Sequence, residues 1–196
     1  MKEYFYLNYF LGDDDRIVDA SVKFDPAKDN YYDIENTKFN SNDRVDFVLD
    51  KSIKYLSEDF FRTTSGEFFG SAAFCNILVK HQPDISLVSS QGVYYNGKLV
   101  EQDYFLIHPG KKVDAFDYEL SVYSGKSLIL SELSRSKKPR LVKGVKKIFI
   151  NAEKATGEEY FFLANIIYFH PIISGELLSD LRENSINISW GSLGVS

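Results

Sequence analysis

This chain predicts an α+β fold: a single strand-rich domain with a mixed or antiparallel sheet, two to three helices and two related strand–helix–strand halves. Three observations carry that expectation. Aromatic residues make up 15% of the chain, and all but one are Phe or Tyr, side chains that suit a pleated, half-buried surface. Short apolar runs recur between Gly, Pro, Asn and Asp, as strands do. Serine stands ahead of a helix-forming stretch at two places, where its hydroxyl can cap the first turn. A length of 196 residues suits one domain. A chain of this size buries roughly 70% of its unfolded surface and needs no staples.

The elements follow in order. Tyr4 to Phe10 is apolar on both faces, so the first strand is expected to be well covered rather than at an edge. Gly12-Asp13-Asp14-Asp15 signals a turn, and Ile17 to Phe24 reads as a second strand. Residues 25–43 are rich in Asn and Asp and read as a long surface loop pinned by Tyr31-Tyr32, before a strand from Val45 to Leu49. Ser57, ahead of Glu58 and Asp59, is a natural N-cap, so a helix is expected there. It continues or restarts through Glu67 to His81, where Phe68, Phe69, Ala72, Ala73, Ile77 and Leu78 fall near helical spacing. Ile85 to Val93 is a strand. Tyr95-Asn96-Gly97-Lys98 is a hairpin turn, since Asn-Gly accepts two positive φ values, and it leads to a strand from Leu99 to Ile107. Apolar segments at 127–133, 145–150 and Tyr160–Phe169 add further elements, and Ser174 caps a last helix after Ile172-Ile173. Matching Ile53–Phe61 to Ile172–Leu178, and Ile85–Val93 to Ile188–Val195, gives an internal similarity between about residues 45–95 and 160–196 within one domain, 1–196.

Composition narrows the function. The single cysteine, Cys75, allows no internal disulfide. With no secretion pattern at Lys2-Glu3-Tyr4-Phe5, the expected compartment is the cytoplasm. No apolar run reaches the ~18 residues that span a bilayer. The net charge of −5 conceals an asymmetry: twelve acidic and six basic side chains over residues 1–50, five and eleven over 111–154, five and one over 155–196. Such a division steers a charged partner, or lets two regions of one fold attract each other.

Catalytic and metal-binding patterns find little support. Gly125-Lys126-Ser127 ends like a phosphate loop, but the earlier glycine it requires falls on Leu120. His108 and His170 each precede a proline at the end of an apolar run, and with Asp114 they are the best candidates for a metal. Strand-end histidines bonded to backbone are the plainer account, so no metal and no cofactor are expected. Asp117 and Glu119 share a face on a strand, with Asp114 on the other, which reads as polar alternation. No Gly-x-Ser-x-Gly elbow or activated cysteine is present, so no enzyme is expected. Arg135, Lys137, Lys138, Arg140, Lys143, Lys146 and Lys147 place seven cations in thirteen residues. They are the best candidates for phosphate contact, although no aromatic interleaves them for base stacking.

The stretch Tyr104-Phe105-Leu106-Ile107, the break at His108-Pro109-Gly110 and the cadence Val113-Asp114-Ala115-Phe116-Asp117-Tyr118-Glu119-Leu120-Ser121 resemble a family of immunity proteins encoded beside bacterial polymorphic and contact-dependent toxins. A looser second region runs from Ile172 to Trp190. The chain departs from the family at His108-Pro109, where a polar residue such as Asn is expected, and at Gly175 inside a helix start. The resemblance implies a non-catalytic protein that binds a cognate toxin domain in the cytoplasm and blocks its active site. Many toxin domains that act on nucleic acid are basic, so Asp13, Asp14, Asp15, Asp19 and Asp25 become candidates for a partner-binding rim. The alternative is a nucleic-acid-contacting protein using residues 135–147.

Overall fold

A first strand that is apolar on both faces requires neighbours on both sides, and it has them. In the computed structural model, which describes residues 2–9, 17–28, 37–135 and 141–196, the strands in chain order are β1 (Tyr4–Asn8), β2 (Ala20–Asp25), β3 (Arg44–Leu49), β4 (Phe60–Arg62), β5 (Phe68–Ser71), β6 (Ile85–Val93), β7 (Tyr104–Pro109), β8 (Lys112–Val113), β9 (Phe149–Ile150), β10 (Tyr160–Leu163), β11 (Ile172–Ser174), β12 (Ser189–Ser192) and β13 (Gly194–Val195). The helices are α1 (Ala72–Leu78), α2 (Lys126–Leu133) and α3 (Gly175–Glu183), with a 3₁₀ turn at Val79–His81. The strands form a six-stranded sheet, β2-β3-β6-β7-β5-β4, a five-stranded sheet, β12-β1-β11-β10-β8, and a β13-β9 pair. The chain is thus a single α+β domain with mixed sheets.

One pattern of connections occurs twice. Ser71 pairs with Tyr104 on the neighbouring strand, and Ser174 pairs with Tyr4. Each serine amide bonds the carbonyl of an acidic residue, Asp59 (2.8 Å) or Glu159 (3.0 Å). Each serine hydroxyl donates to that residue's carboxylate and accepts from the third helical amide, Phe74 or Leu177, at 3.1 Å. The next amides, Ala72 and Gly175, bond Asp103 and Glu3 carbonyls at 2.9 Å. The buried hydroxyls of Tyr104 and Tyr4 donate to Glu58 and Ala155 carbonyls at 2.8 and 2.9 Å. Val18-Asp19-Ala20 and Val113-Asp114-Ala115 also correspond: Val18 bridges Thr63 in parallel, as Val113 pairs with Leu163. Their carbonyls accept from Thr64 and Ala164 at 3.0 and 2.9 Å.

The two halves exchange their first strands. β1, from the N-terminal half, lies between β12 and β11 of the C-terminal half, and β7 lies between β6 and β5. Both sit in antiparallel ladders on either side.

Three apolar clusters follow from this arrangement. One outer core holds Val18, Val45, Phe47, Leu49, Phe61, Phe69, Tyr104 and Leu106. Its counterpart holds Val113, Ala115, Phe116, Phe161, Ile172 and Tyr4, together with Ile129 from α2. The central cluster joins the halves through Phe74, Ile77 and Leu78 of α1 with Leu177, Leu178 and Leu181 of α3. Rings tighten the first core: Phe47 lies 4.9 Å from Phe69, and Phe61 lies 5.2 Å from Tyr104. Such pairs add about 0.5–1.5 kcal/mol each beyond area burial.

Several expectations need correction. Ser57 caps no helix, because residues 53–58 form an irregular loop and Phe60–Arg62 is a strand. The cap is Ser71, and Phe68 and Phe69 belong to β5 rather than to a helix. Bulky aromatics on both sides of that backbone are buried by sheet pairing, which overrides their near-helical spacing. The proper match is therefore Ser71 with Ser174, while Ile85–Ser89 and Ile188–Ser192 correspond as the sequence had it. At the hairpin only Gly97 takes a positive φ (83°), and Gly97 N–H bonds Tyr94 O at 2.8 Å. Leu99 makes an isolated bridge to Val93, and the strand itself begins at Tyr104. It runs on through His108 and Pro109, with Pro109 at its end, where a missing donor costs least. Asp117 and Glu119 lie in a turn rather than on a strand.

Candidate partner interface

Turn chemistry places two tyrosines in water. Tyr95 follows Tyr94 inside a tight turn closed by Gly97, and a side chain there has no core to reach. Tyr55 precedes Leu56, which is buried and fixes the loop by directing Tyr55 the other way. Tyr55 is 72% exposed, Tyr95 70% and Leu99 54%. Loop and hairpin are tied together: Leu56 N–H donates to the Tyr94 hydroxyl at 3.2 Å, and Tyr104 O–H to Glu58 O. The loop's start is fixed by Ser52 N–H on Asp50 Oδ1 (2.8 Å) and Ile53 N–H on Asp50 O (3.0 Å). The Ser52 hydrogen bonds hold the Asp50 carboxyl below its ordinary range.

Between loop and hairpin lies a hollow of about 210 Å³, with Tyr55, Tyr95 and Ile53 on its walls and Lys51, Lys54 and Lys98 at its rim. The Lys98–Glu101 ion pair at this rim, 3.1 Å, is exposed on both sides and contributes little. A broader polar hollow adjoins it and shares Lys98, Glu101 and Gln102. That hollow carries Asp43, Asp46 and Asp103 beside Arg44. Asp43 is structural: Lys28 (2.8 Å) and the Asn40 amide (3.0 Å) hold it, and the Lys28 hydrogen bond lowers its pKa. The surface therefore changes from apolar with basic edges to acidic across one hairpin. Exposed tyrosines on a tethered backbone, with charge at the margin, form the pattern of an interface anchor.

The sequence's own candidates lie elsewhere. Asp13, Asp14 and Asp15 fall outside the described residues. Asp19 and Asp25 are exposed on the outward face of the β2 segment, six positions and roughly 20 Å apart. Asp19 accepts from the Thr64 hydroxyl at 3.1 Å. Asp25 stands opposite Arg44 across the ladder, and Lys23 stands opposite Asp46. Of the basic run, Lys137, Lys138 and Arg140 lie outside the described residues. Arg135 follows α2, and Lys143, Lys146 and Lys147 are exposed. Lys147 Nζ lies 4.7 Å above the Phe149 ring.

The remaining chemistry is accounted for by structure. Lys126 donates to the carbonyls of Glu119 and Ser121, so it faces no phosphate cradle. Asp117 accepts from the Glu119 and Leu120 amides at 2.8 and 2.7 Å. Burial would raise its pKa, but hydrogen bonds from Ser196 and these amides outweigh that and lower it. Asp114 accepts from Tyr118 at 3.2 Å. His108 packs on Phe39, and His170 Nδ1 donates to Leu7 O at 3.0 Å. Among the described residues no three His, Cys, Asp or Glu side chains converge on a metal position. Cys75 is buried, which pushes its thiol up to about 12 and leaves it a poor nucleophile. No helix among the described residues is long and apolar enough to cross a membrane.

Sequence reasoning missed the tyrosine surface. The signal was available in Tyr95, an aromatic inside a tight polar turn. No protein-family model matches this chain, and no curated protein matches it.

Proposed function

We propose that the protein is a non-catalytic immunity protein, which docks onto a cognate bacterial toxin domain in the cytoplasm and occludes its active site. The observation that carries this reading is the tethered hollow holding exposed Tyr55 and Tyr95 beside Lys51, Lys54 and Lys98. The cadence Val113-Asp114-Ala115, which carries the resemblance from which the reading began, also supports it. Tyr55 and Tyr95 provide anchors with few rotatable bonds, which lose little entropy when buried. The charge division across the hairpin sets orientation. The partner presents acidic groups to Lys51 and Lys54 and basic groups to Asp46 and Asp103, which hastens encounter and disfavours wrong poses.

The test is co-expression with the protein encoded immediately upstream, scored by growth and co-purification. Rescue of growth with a stable complex supports the reading. Toxicity that this chain leaves unchanged, or the lack of any complex, overturns it. Within a complex, Tyr55→Ala or Tyr95→Ala should each cost about 2 kcal/mol, roughly a 30-fold loss of affinity. Asp19→Asn and Asp25→Asn should change association rate and salt dependence more than affinity. Tyrosine variants that bind as wild type would remove this surface from the interface.

A further inference from the structure

A second site arises where the two halves differ. In the N-terminal half β3 runs parallel to β6 over four pairs, Val45↔Ser90 to Val48↔Val93. The corresponding pairing in the C-terminal half keeps only two, Phe149↔Gly194 and Ile150↔Val195. Phe47 sits within the longer pairing. That one residue bridges Val22 on one side and covers Gly92 on the other. In the C-terminal half Phe149 covers Gly194 and its carbonyl accepts from the Asp117 amide on the other side, while Lys147 stands opposite Val122. Lys146 and Lys147 are exposed here, while Ile148 and Ile150 enter the core. Beside the shorter pairing a cleft of about 490 Å³ lies between residues 145–148 and β1. That volume lies within the roughly 300–1,000 Å³ typical of small-molecule sites.

The lining is chemically specific. Lys146 and Lys147 stand on one wall, and Tyr6, Tyr168 and His170 on the other. Among the described residues neither lysine is in an ion pair. The aromatic wall is fixed. His170 stacks on Tyr9 at 4.5 Å, lies 5.2 Å from Tyr6 and 5.1 Å from Tyr168, and is anchored to Leu7 O. Tyr6 lies flat over Gly191, where any Cβ would meet its ring at 2.4 Å. Asn8 and Ser192 add hydrogen-bonding groups along the floor.

We infer that this cleft binds a nucleotide, with the phosphate on Lys146 and Lys147 and the ring against Tyr6 and Tyr168. Two adjacent exposed cations, in no ion pair among the described residues, match a phosphate, and an aromatic wall accepts any base by its face. The fold thereby supplies the aromatics that the basic run lacks in sequence. The cleft shares no residue with the Tyr55–Tyr95 hollow, so the two sites are separable by mutation. A free mononucleotide and a nucleotide within a single strand present the same chemistry, and the experiment distinguishes them.

Calorimetric titration of the full chain is the test, with AMP, UMP, inorganic phosphate, uridine and an eight-residue oligothymidylate as probes. AMP and UMP should bind at least tenfold more tightly than phosphate or uridine. The Lys146→Ala/Lys147→Ala double variant should lose at least tenfold, while Lys80→Ala, exposed and lining neither hollow, is unchanged. An oligothymidylate bound more than tenfold tighter than UMP, with steep salt dependence and the same loss in the double variant, identifies the single strand as the source. Equal affinities identify the mononucleotide. Tyr168→Leu, verified as folded by its thermal midpoint, should weaken UMP but leave phosphate alone. No binding by any probe at millimolar concentration, or phosphate binding as tightly as UMP, overturns the inference.

Discussion

The N-terminal half of the molecule closes its sheet around Phe47, whereas the C-terminal half leaves the corresponding seam open at Lys146 and Lys147. Both halves share the serine cap, the buried tyrosine, the Val-Asp-Ala bridge and the exchanged first strand. What differs is how the parallel pairing beside the exchanged strand is filled. Four rings, Phe47, Phe61, Phe69 and Tyr104, fill the closed core. In the open half Ile172 stands where Phe69 does, and Tyr4 and Phe161 remain as an edge-on pair at 5.9 Å. The lesson is that one set of connections tolerates a dense core and a cleft alike, because the hydrogen bonds that define it run through backbone and capping groups.

Separating the halves breaks the comparison most severely. β7 is an interior strand of the six-stranded sheet and β1 of the five-stranded one, so a chain cut at Gly97 leaves each piece without a central strand. Residues 1–97 could refill their own gap only by seating β1 in the place of β7. That would put Tyr6 where Leu106 is fully buried, and its hydroxyl would need a partner there. Neither piece alone should show a cooperative urea transition, and an equimolar mixture should recover one. A cooperative transition in the isolated first piece would mean that strand exchange is optional.

Glycine substitutions beside Phe47 and beside the cleft compare the two halves. A Cβ at Gly92 would lie 2.4 Å from the ring of buried Phe47, and a Cβ at Gly191 would lie 2.4 Å from Tyr6. Phe47 has nowhere to move, whereas Tyr6 is half-exposed and borders the cleft. Gly92→Ala should therefore cost about 1–3 kcal/mol as overpacking. Gly191→Ala should cost less than about 1 kcal/mol, since reduced unfolded-state entropy offsets part of the strain. Equal losses in urea denaturation would show that the second seam is as rigid as the first.

How much of this was legible in the sequence follows from the same pairs. Strand positions were readable where both faces are apolar, as at Tyr4–Asn8, and where apolar residues alternate, as Val45, Phe47 and Leu49 do. The helix at Ser174 was readable because hydroxyl, acidic first turn and apolar spacing all agree there. Ser57 misled because Glu58 and Asp59 imitate a first helical turn, while Asp59 in fact serves the cap of Ser71 across a hairpin. That contact spans twelve residues, and no local pattern encodes it. Strand exchange was hidden for a similar reason: Glu3-Tyr4-Phe5 and Asp103-Tyr104-Phe105 are visibly alike, but likeness does not say which half each strand joins. The candidate site was less legible still. Tyr55 and Tyr95 become one surface only through the Leu56–Tyr94 hydrogen bond. Lys146 and Lys147 read as part of a solvated run until the fold sets them in one cleft with Tyr6 and Tyr168.

A smaller effect than overpacking at Gly92 concerns the two caps, and it sharpens the comparison by charge. Ser71→Ala and Ser174→Ala should each cost about 1 kcal/mol, the usual worth of an N-cap. Their carboxylates differ in company. Asp59 is held by Gln102 (2.9 Å) and the Asn187 amide (2.7 Å). Glu159 is held by Lys2 at 2.5 Å, with His81 at 3.7 Å. Burial would raise the Glu159 pKa, but the hydrogen bonds from Lys2 and Ser174 and the Lys2 charge outweigh it and lower the value below 4.5. The folded protein thus binds this proton more weakly than the unfolded chain does. The resulting stabilisation is complete above the unfolded value and is lost as pH falls through the folded one. Lys2 gives the complementary case. Burial lowers its pKa, yet the Glu159 interactions raise it above 10.5. Its contribution is present below that value and is lost as pH rises through the folded one. Lys2→Met should therefore flatten both the acid and the alkaline flanks of the stability profile, measured as urea midpoints from pH 3 to 11. Ser174→Ala should flatten the acid flank alone. A Lys2→Met profile parallel to wild type on the acid side would show that the Ser174 hydroxyl, rather than the ammonium, keeps Glu159 ionised.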